Sequence, residues 1–413
     1  MSKTWWTAFT AAFNEPKSLL FDSALASSPS TPSTAVLILP LTRGWTIRCD
    51  IVERRLKGCH LASQTFGFVE PLQCLPGLPH IHGVVVTPTL PALLTNTLGA
   101  AILAPDTSLS ALDAELTARL PLPLLCPTPL GRKCLAWIES RSSALASIGI
   151  YAAAAALGIS LIVLNNPGHW LEPDDGPYAD MREPFVPVDI EADDGFVDRA
   201  VGAIRGYPEK VDGVMAVSDS RVEGVAQVAG VGGLTRYSEG GGAVSIRGVY
   251  ELLGVLEKMQ FPAVGKPAVG WGSECVTKVR DEAELRAAVE KASTWHRGNI
   301  DVLIELFVTG PEVAANLVML DGEVLFAKAA DDFPSPGDGE AAGFQKMANL
   351  LPPRLAGGGG SAGEGEARPP GYFESVATAL TYGVDYYALQ VLLLIGDEAR
   401  YRALAQPSLT EPQ

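Results

Sequence analysis

Between Ser142 and Trp170 the chain carries no Asp, Glu, Lys or Arg. A run that long without charge is buried, either in a bilayer or in a protein core. A bilayer span needs roughly 20 strongly apolar residues in one helix, and here Gly158 divides the run. Ala144 to Leu157 is alanine-rich and reads as a helix. Ile159 to Leu164 is rich in β-branched residues and reads as a strand that stops at Asn165-Asn166-Pro167-Gly168. A buried helix feeding a buried parallel strand is the account that follows, with no membrane partner.

The flanking sequence extends that unit. Leu135 to Ile138 reads as a strand, then an acidic, Pro-rich excursion covers 172–194, then come a helix over Phe196 to Arg205 and a strand over Val211 to Val217. Strand, helix, strand, helix, strand is the order of a parallel sheet with helices on its faces.

The second half has a different pattern. A glycine-rich stretch, Gly230 to Gly242, precedes a helix over Val249 to Met259. Asp281 opens another helix, with Glu284 three residues on as a capping box and Ala283, Leu285, Ala288 and Val289 on its apolar face. Glu282 and Arg286 stand at i,i+4 spacing on its surface. Asp301 to Val308 reads as a strand. Glu312 to Leu320 and Glu323 to Lys328 read as two more, joined by Asp321-Gly322, a hairpin signal. The expected fold is therefore a parallel α/β unit followed by an α+β unit with an antiparallel sheet.

The ends are less patterned. Residues 1–33 finish in a Ser/Pro/Thr-rich run and read as a flexible N-terminal arm. Ala35–Pro40, Val84–Val86 and Ala100–Leu103 are short apolar strands in an N-terminal region, 34–130, whose composition gives no topology for 41–130. A Gly-rich linker lies at 352–370, and helical sequence resumes at Glu374–Thr381, Tyr386–Ile395 and Glu398–Ala405.

Composition removes several functions. The net charge is −16, from 47 acidic and 31 basic residues, which excludes a general nucleic-acid or anionic-membrane partner. The six cysteines, at 49, 59, 74, 126, 134 and 275, form no CxxC pair. They read as reduced thiols in a reducing, cytoplasmic compartment. Cys59, His60, Cys74, His80 and His82 crowd one region and admit either zinc or simple buried thiols and loop histidines; paired ligand spacing is missing. The first 20 residues, with Lys3, Glu15 and Lys17, hold no continuous apolar core, so no secretory signal is expected.

The chemistry is concentrated between Phe261 and Phe326. Lys266 lies in an apolar strand before Pro267, and a lysine in a sheet interior calls for an anion. Gly270-Trp271-Gly272-Ser273 follows, a loop whose backbone NH groups and hydroxyl can approach a phosphate. Either a triphosphate uses that pair, or Lys266 is a surface lysine before an ordinary turn. Glu305 closes the next apolar strand, and Glu312 follows across Thr309-Gly310-Pro311. These acceptors suit a base and a ribose, or else a solvated strand edge.

Strand ending in Lys-Pro, glycine loop, helix, then Glu-x-x-x-x-Gly-x-Glu: this order resembles the nucleotide-binding core of the ATP-grasp superfamily, closest to amino-acid ligases of the carnosine-synthase type. The resemblance divides the chain into a pre-ATP-grasp α/β domain at 131–230, a nucleotide-binding domain at 231–351, the linker, and a C-terminal helical remnant at 371–413. It implies ATP as a substrate and carboxylate–amine ligation through an acyl phosphate, with small-molecule carboxylate and amine substrates, amino acids among them. By carry-over, Lys266 grips the α- and β-phosphates, Gly270, Trp271, Gly272 and Ser273 close over the triphosphate, the backbone of Glu305, Leu306, Phe307 and Val308 reads adenine, and Glu312 takes the ribose. The expected fold remains compatible with a homo-oligomer.

Two departures stand out. The family's additional phosphate-binding lysine has no counterpart between Val217 and Phe261, where Lys258, Arg236 and Arg247 are poorly placed substitutes. The family's Mg2+ site, an acidic residue and then Glu-x-Asn near an arginine, finds its nearest match in Glu364-Gly-Glu366-Ala-Arg368, which is either a pair of metal ligands, Glu364 and Glu366, or a solvated acidic linker. Asp331 and Asp332 border a substrate site or belong to a loop. An impaired nucleotide-binding or scaffold protein is therefore the alternative to a ligase. An NAD-type oxidoreductase is set aside because no GxGxxG follows a strand.

Overall fold

The computed structural model describes residues 6–7, 34–78, 80–81, 84–85, 93–140, 143–191, 193–217, 219–232, 244–256, 259–268, 273–294, 301–307, 313–333, 348–351 and 370–408. Its centre is the parallel sheet expected from the uncharged run. Strands β5 (Lys133–Ile138), β6 (Ile159–Asn165), β7 (Phe185–Pro187) and β8 (Gly213–Met215) lie in the order β7-β6-β5-β8, all parallel. Every residue of β6 is buried, as a strand covered on both faces requires. Alternate residues supply two cores. Leu135, Trp137, Leu161 and Val163 pack with Ile150 and Tyr151 of helix α3 (Ala144–Leu157). Ala136, Ile138, Ile162 and Leu164 pack with α4 (Phe196–Gly206) and α5 (Asp219–Gly232).

Helix α3 starts at Ser143, whose hydroxyl accepts from the Ala146 N–H, and ends at Gly158 with φ 70°. That left-handed cap turns the chain into β6 at little steric cost. Two features of this unit were not legible. The excursion 172–194 returns Phe185–Pro187 to the sheet edge, and α5 follows β8. Strand β8 is also shorter than the expected Val211–Val217.

The N-terminal region is antiparallel where it is paired. Strands β1 (Trp6–Thr7), β2 (Thr34–Ile38), β3 (Ala62–Gly67) and β4 (Gly99–Leu103) lie in the order β1-β2-β4-β3, with helices α1 (Ile51–Arg55) and α2 (Leu109–Arg119) beside them. Trp6 and Thr7, expected in a flexible arm, pair with Ala35 and Thr34; the remaining residues of that arm before Thr34 lie outside the described set.

The second half forms two antiparallel sheets. The first contains β9 (Val244–Arg247), β10 (Ala263–Pro267), β11 (Thr277–Val279) and β12 (Asp301–Leu306) in the order β9-β12-β10-β11. Helices α6 (Val249–Leu256) and α7 (Glu282–Thr294) cover one face through Leu252, Leu285, Ala288 and Val289. The second sheet contains β13 (Val313–Leu320), β14 (Glu323–Phe333) and β15 (Ala348–Leu350). Leu320 pairs with Glu323 across Asp321 (φ 49°) and Gly322 (φ 83°), the tight hairpin the dipeptide announced. Asp331 and Asp332 belong to β14, paired with Leu350 and Asn349 of β15, so the loop alternative for them falls.

Helices α8 (Tyr372–Tyr382), α9 (Tyr386–Leu394) and α10 (Glu398–Leu404) close the described chain. Helix α9 is buried almost throughout and joins the core of α3 and the parallel sheet. Its end crosses β8 closely: a Cβ built on Gly213 would stand 2.2 Å from the Leu394 carbonyl oxygen. Among the described residues no helix is long and apolar enough to cross a membrane.

Candidate nucleotide site

The β9–β12 sheet has one covered face and one that no described helix covers, and its residue alternation decides which side chains share each. Ala263, Val279, Val302 and Ile304 enter the helical core. On the other face the register sets Lys278, Val264 and Glu305 in one row across three strands, with Lys266 two residues beyond Val264. The four chemistry-bearing positions Lys266, Lys278, Glu305 and Phe307 thus lie on one sheet face.

Lys266 Nζ stands 2.8 Å from Glu305 Oε1, with the two side chains 23% and 27% exposed. The pair is half-buried, so the ammonium is neither a free surface group nor sealed in the core. Its strand is held on both sides, by β12 and β11, which fixes the ammonium's direction. Lys278 Nζ lies 3.5 Å from the Phe307 ring centroid, a close cation–π contact.

The backbone of the same strand is partly committed. Phe307 N–H donates to the Pro262 carbonyl at 3.0 Å. Antiparallel alternation then turns the Leu306 carbonyl toward the opposite edge. Of the four residues expected to read a base, Phe307 therefore offers its ring rather than its N–H. Leu306 is exposed.

Beyond β10, the chain re-enters the described set at Ser273. Ser273 (φ 57°) and Cys275 (φ 58°) both hold left-handed backbone, and Val276 N–H returns to the Ser273 carbonyl at 3.3 Å. This tight turn leads into β11 and so into Lys278. Helix α7 follows with the expected start: Asp281 accepts from Glu284 N–H at 2.9 Å, while Glu284 reaches back to Arg280 N–H at 2.8 Å, one residue before the position a standard capping box uses. Glu282 and Arg286 form the expected pair at 3.6 Å.

Gly270, Trp271, Gly272, Val308, Glu312, Glu364 and Glu366 lie outside the described residues, as do Lys258 and Arg236. Arg247 lies within them, exposed on β9 and 3.7 Å from Asp301. Among the described residues no group of three His, Cys, Asp or Glu side chains is arranged to hold a metal ion. Lys278 is the residue that sequence reading passed over. Its signal was present, a lysine alternating with the core residue Val279, but only strand register shows that it shares a face with Lys266.

The second sheet contributes a buried polar cluster. Lys328 of β14, 1% exposed at its side chain, sits 3.0 Å from Glu374 of α8. Asn316 of β13 donates to the same carboxylate oxygen at 2.5 Å. This cluster ties the sheet to the C-terminal helices, as do Phe326 against Tyr382 and the Tyr401 hydroxyl donating to the Met319 carbonyl at 2.9 Å.

The family model of the ATP-grasp N-terminal domain matches residues 151–234. The ATP-grasp enzyme fsqD of Aspergillus fumigatus is 30% identical, over 94% of this chain and 83% of the relative. That alignment runs over 487 positions against 413 residues here, so the relative holds segments this chain lacks. Among solved structures, the biotin carboxylase domain of 2-oxoglutarate carboxylase from Hydrogenobacter thermophilus, in complex with ADP, its magnesium salt and bicarbonate, aligns with a TM-score of 0.48 at 14% identity, covering 66% of this chain and 72% of that one. N5-carboxyaminoimidazole ribonucleotide synthetase in its ADP complex aligns with a TM-score of 0.45 at 12% identity, covering 68% and 80%. With fsqD 30% identical over 94% of this chain and 83% of its own length, this chain belongs to the ATP-grasp family.

Proposed function

We propose that the chain is an ATP-dependent carboxylate–amine ligase whose nucleotide lies on the open face of the β9–β12 sheet. The observation that supports this most is the Lys266–Glu305 pair, a half-buried ammonium on a Lys-Pro strand that precedes the glycine loop in sequence. In the reaction, a substrate carboxylate oxygen attacks the γ-phosphorus of ATP and ADP leaves. The amine then attacks the acyl carbon, phosphate departs, and the amine's proton is released to give an amide.

Lys266 acts here by charge. Moving from Glu305 to the α- and β-phosphates, its ammonium offsets negative charge on the polyphosphate, and the loop 270–273 adds N–H dipoles. The Leu306 carbonyl, on the strand edge that Phe307 does not use, reads the adenine edge, and the resemblance adds Val308 to it. Glu312 takes the ribose hydroxyls. Amino acids are the substrate class that the carnosine-synthase-type resemblance favours, and Glu364 with Glu366 are its candidate Mg2+ ligands.

A second reading, an ATP-grasp protein that binds nucleotide without ligating, is favoured by one sequence observation: glycines stand where the family's apolar strand carries its Glu-x-Asn. Calorimetric titration of ATP with and without Mg2+, coupled to ADP release with mixed amino acids, separates the two. A ligase binds ATP more tightly with Mg2+ and releases ADP. Affinity that ignores Mg2+, with no ADP formed, overturns the ligase reading. Lys266→Ala lowers ATP affinity about thirtyfold, since a charge-assisted contact of about 2 kcal/mol is lost; unchanged affinity refutes the site itself.

A further inference from the structure

We propose that Lys278 is a second polyphosphate-binding cation of this site, and that it reaches the ligand by leaving the face of Phe307. The proposal rests on the nucleotide reading above and adds to it a residue outside the Lys-Pro, glycine-loop and Glu-x-x-x-x-Gly-x-Glu elements.

The geometry carries it. Strand register pairs Val264 with Lys278 on one side and with Glu305 on the other, so Lys278 and Lys266 are diagonal neighbours on adjacent strands. Diagonal positions on one face are about 7–8 Å apart, and both side chains are long enough to meet oxygens of a single polyphosphate between them. Arg247 is two strands from Lys266, and it pairs with Asp301 at the far edge. Lys278 is thus the nearer cation of the two. Two ammonium groups so placed repel each other, and a polyphosphate between them offsets that repulsion. Lys278 lies on the Phe307 ring at 3.5 Å. A cation–π contact at a partly exposed site is weaker than a charge-assisted bond to a phosphate, so a polyphosphate draws Lys278 off the ring. The same movement uncovers the ring of the residue that follows the exposed Leu306.

The tight turn at Ser273–Val276 supports the exchange. It joins the glycine loop to β11 through two left-handed residues, so the Lys278 strand continues directly from the loop expected to cover the phosphates.

The test uses the full chain and four probes, ATP, ADP, AMP and adenosine, titrated calorimetrically against wild type, Lys278→Met, Lys278→Arg and Lys266→Ala. Methionine keeps most of the apolar stem, and thermal unfolding checks that the sheet is intact. Expected: Lys278→Met weakens ATP and ADP about tenfold to thirtyfold, leaves adenosine within twofold, and makes ATP affinity less sensitive to salt, while Lys278→Arg recovers most of the loss. ATP affinity of Lys278→Met within twofold of wild type, with Lys266→Ala impaired, overturns the role of Lys278 and leaves the nucleotide reading standing. Equal weakening of ATP and adenosine also overturns it, since Lys278 then acts through the sheet. Indifference of both lysine variants refutes the nucleotide reading as well.

Discussion

The C-terminal helices depend on one buried carboxylate, and its removal has a calculable cost. Asp385 precedes α9 and does two jobs. Its Oδ1 accepts from Tyr387 N–H at 3.1 Å and Ala388 N–H at 3.4 Å, capping the helix. Its Oδ2 stands 2.7 Å from Arg48, 2% exposed, and 2.9 Å from Arg54. Burial pushes the Asp385 carboxyl up, but Arg48 and Arg54 outweigh it and hold the group below its ordinary value. Asp385→Asn keeps an acceptor for the cap and removes the charge. Breaking a buried pair from one side costs about 3–5 kcal/mol. Arg48 retains Asp50 at 2.5 and 3.1 Å, which places the loss at the lower end, about 3 kcal/mol. Asp385→Ala also removes the cap, adding about 1 kcal/mol. Urea unfolding followed by far-ultraviolet circular dichroism measures both. The pH dependence has a fixed sign: a depressed carboxylate contributes fully above the unfolded value of about 3.9, and its contribution is lost as pH falls through the lower folded value. Stability of the wild type should therefore fall more steeply below about pH 4 than that of Asp385→Asn. A loss under about 1 kcal/mol for the Asn variant, or parallel acid profiles, would refute this account of the network.

Two further outcomes rest on packing and on the second sheet. Gly213→Ala places a methyl against the Leu394 carbonyl and should destabilise by about 2–3 kcal/mol, because both partners are backbone and neither yields easily; a thermal midpoint unchanged from wild type contradicts it. Glu374→Ala removes the carboxylate that Lys328 and Asn316 share and should cost about 3 kcal/mol in urea unfolding. Lys328→Met with Glu374→Leu should recover most of that loss, and no recovery in the double variant would show that the charges are not the cause.

Legibility followed the range of the interactions. The Ser142–Trp170 run identified α3 and β6 because burial on every side leaves its mark on consecutive residues. Asp321-Gly322 identified its hairpin because the turn is two residues long. Strand β7 was hidden because Phe185–Pro187 sits at a sheet edge, where polar and proline neighbours are tolerated. In the candidate site, Lys266 and Glu305 were legible from their local surroundings. Their contact was not, since it depends on β12 lying beside β10 across an intervening helix. Lys278 was missed for the same reason: which face a lysine joins is a matter of register, and one residue of slip would have sent it into the core beneath α7.

The C-terminal helices make the same point on a larger scale. By sequence they follow a glycine-rich segment and read as a helical remnant of the nucleotide-binding domain. In the fold, Glu374 in the first turn of α8 reaches the β13–β14 sheet, Asp385 before α9 reaches Arg48 in the N-terminal region, and Arg400 of α10 donates to the Leu157 carbonyl at the end of α3 at 2.6 Å. Arg400 and Arg48 are both almost wholly buried, and neither is worth burying for a loose tail, because an unpaired guanidinium in a core costs several kcal/mol. Three successive helices therefore clamp three regions of the chain that lie more than 100 residues apart from one another in sequence. The β13–β15 sheet is attached to the parallel unit through α8–α10, so the geometry of the half that holds the candidate nucleotide site depends on residues that carry none of its proposed chemistry.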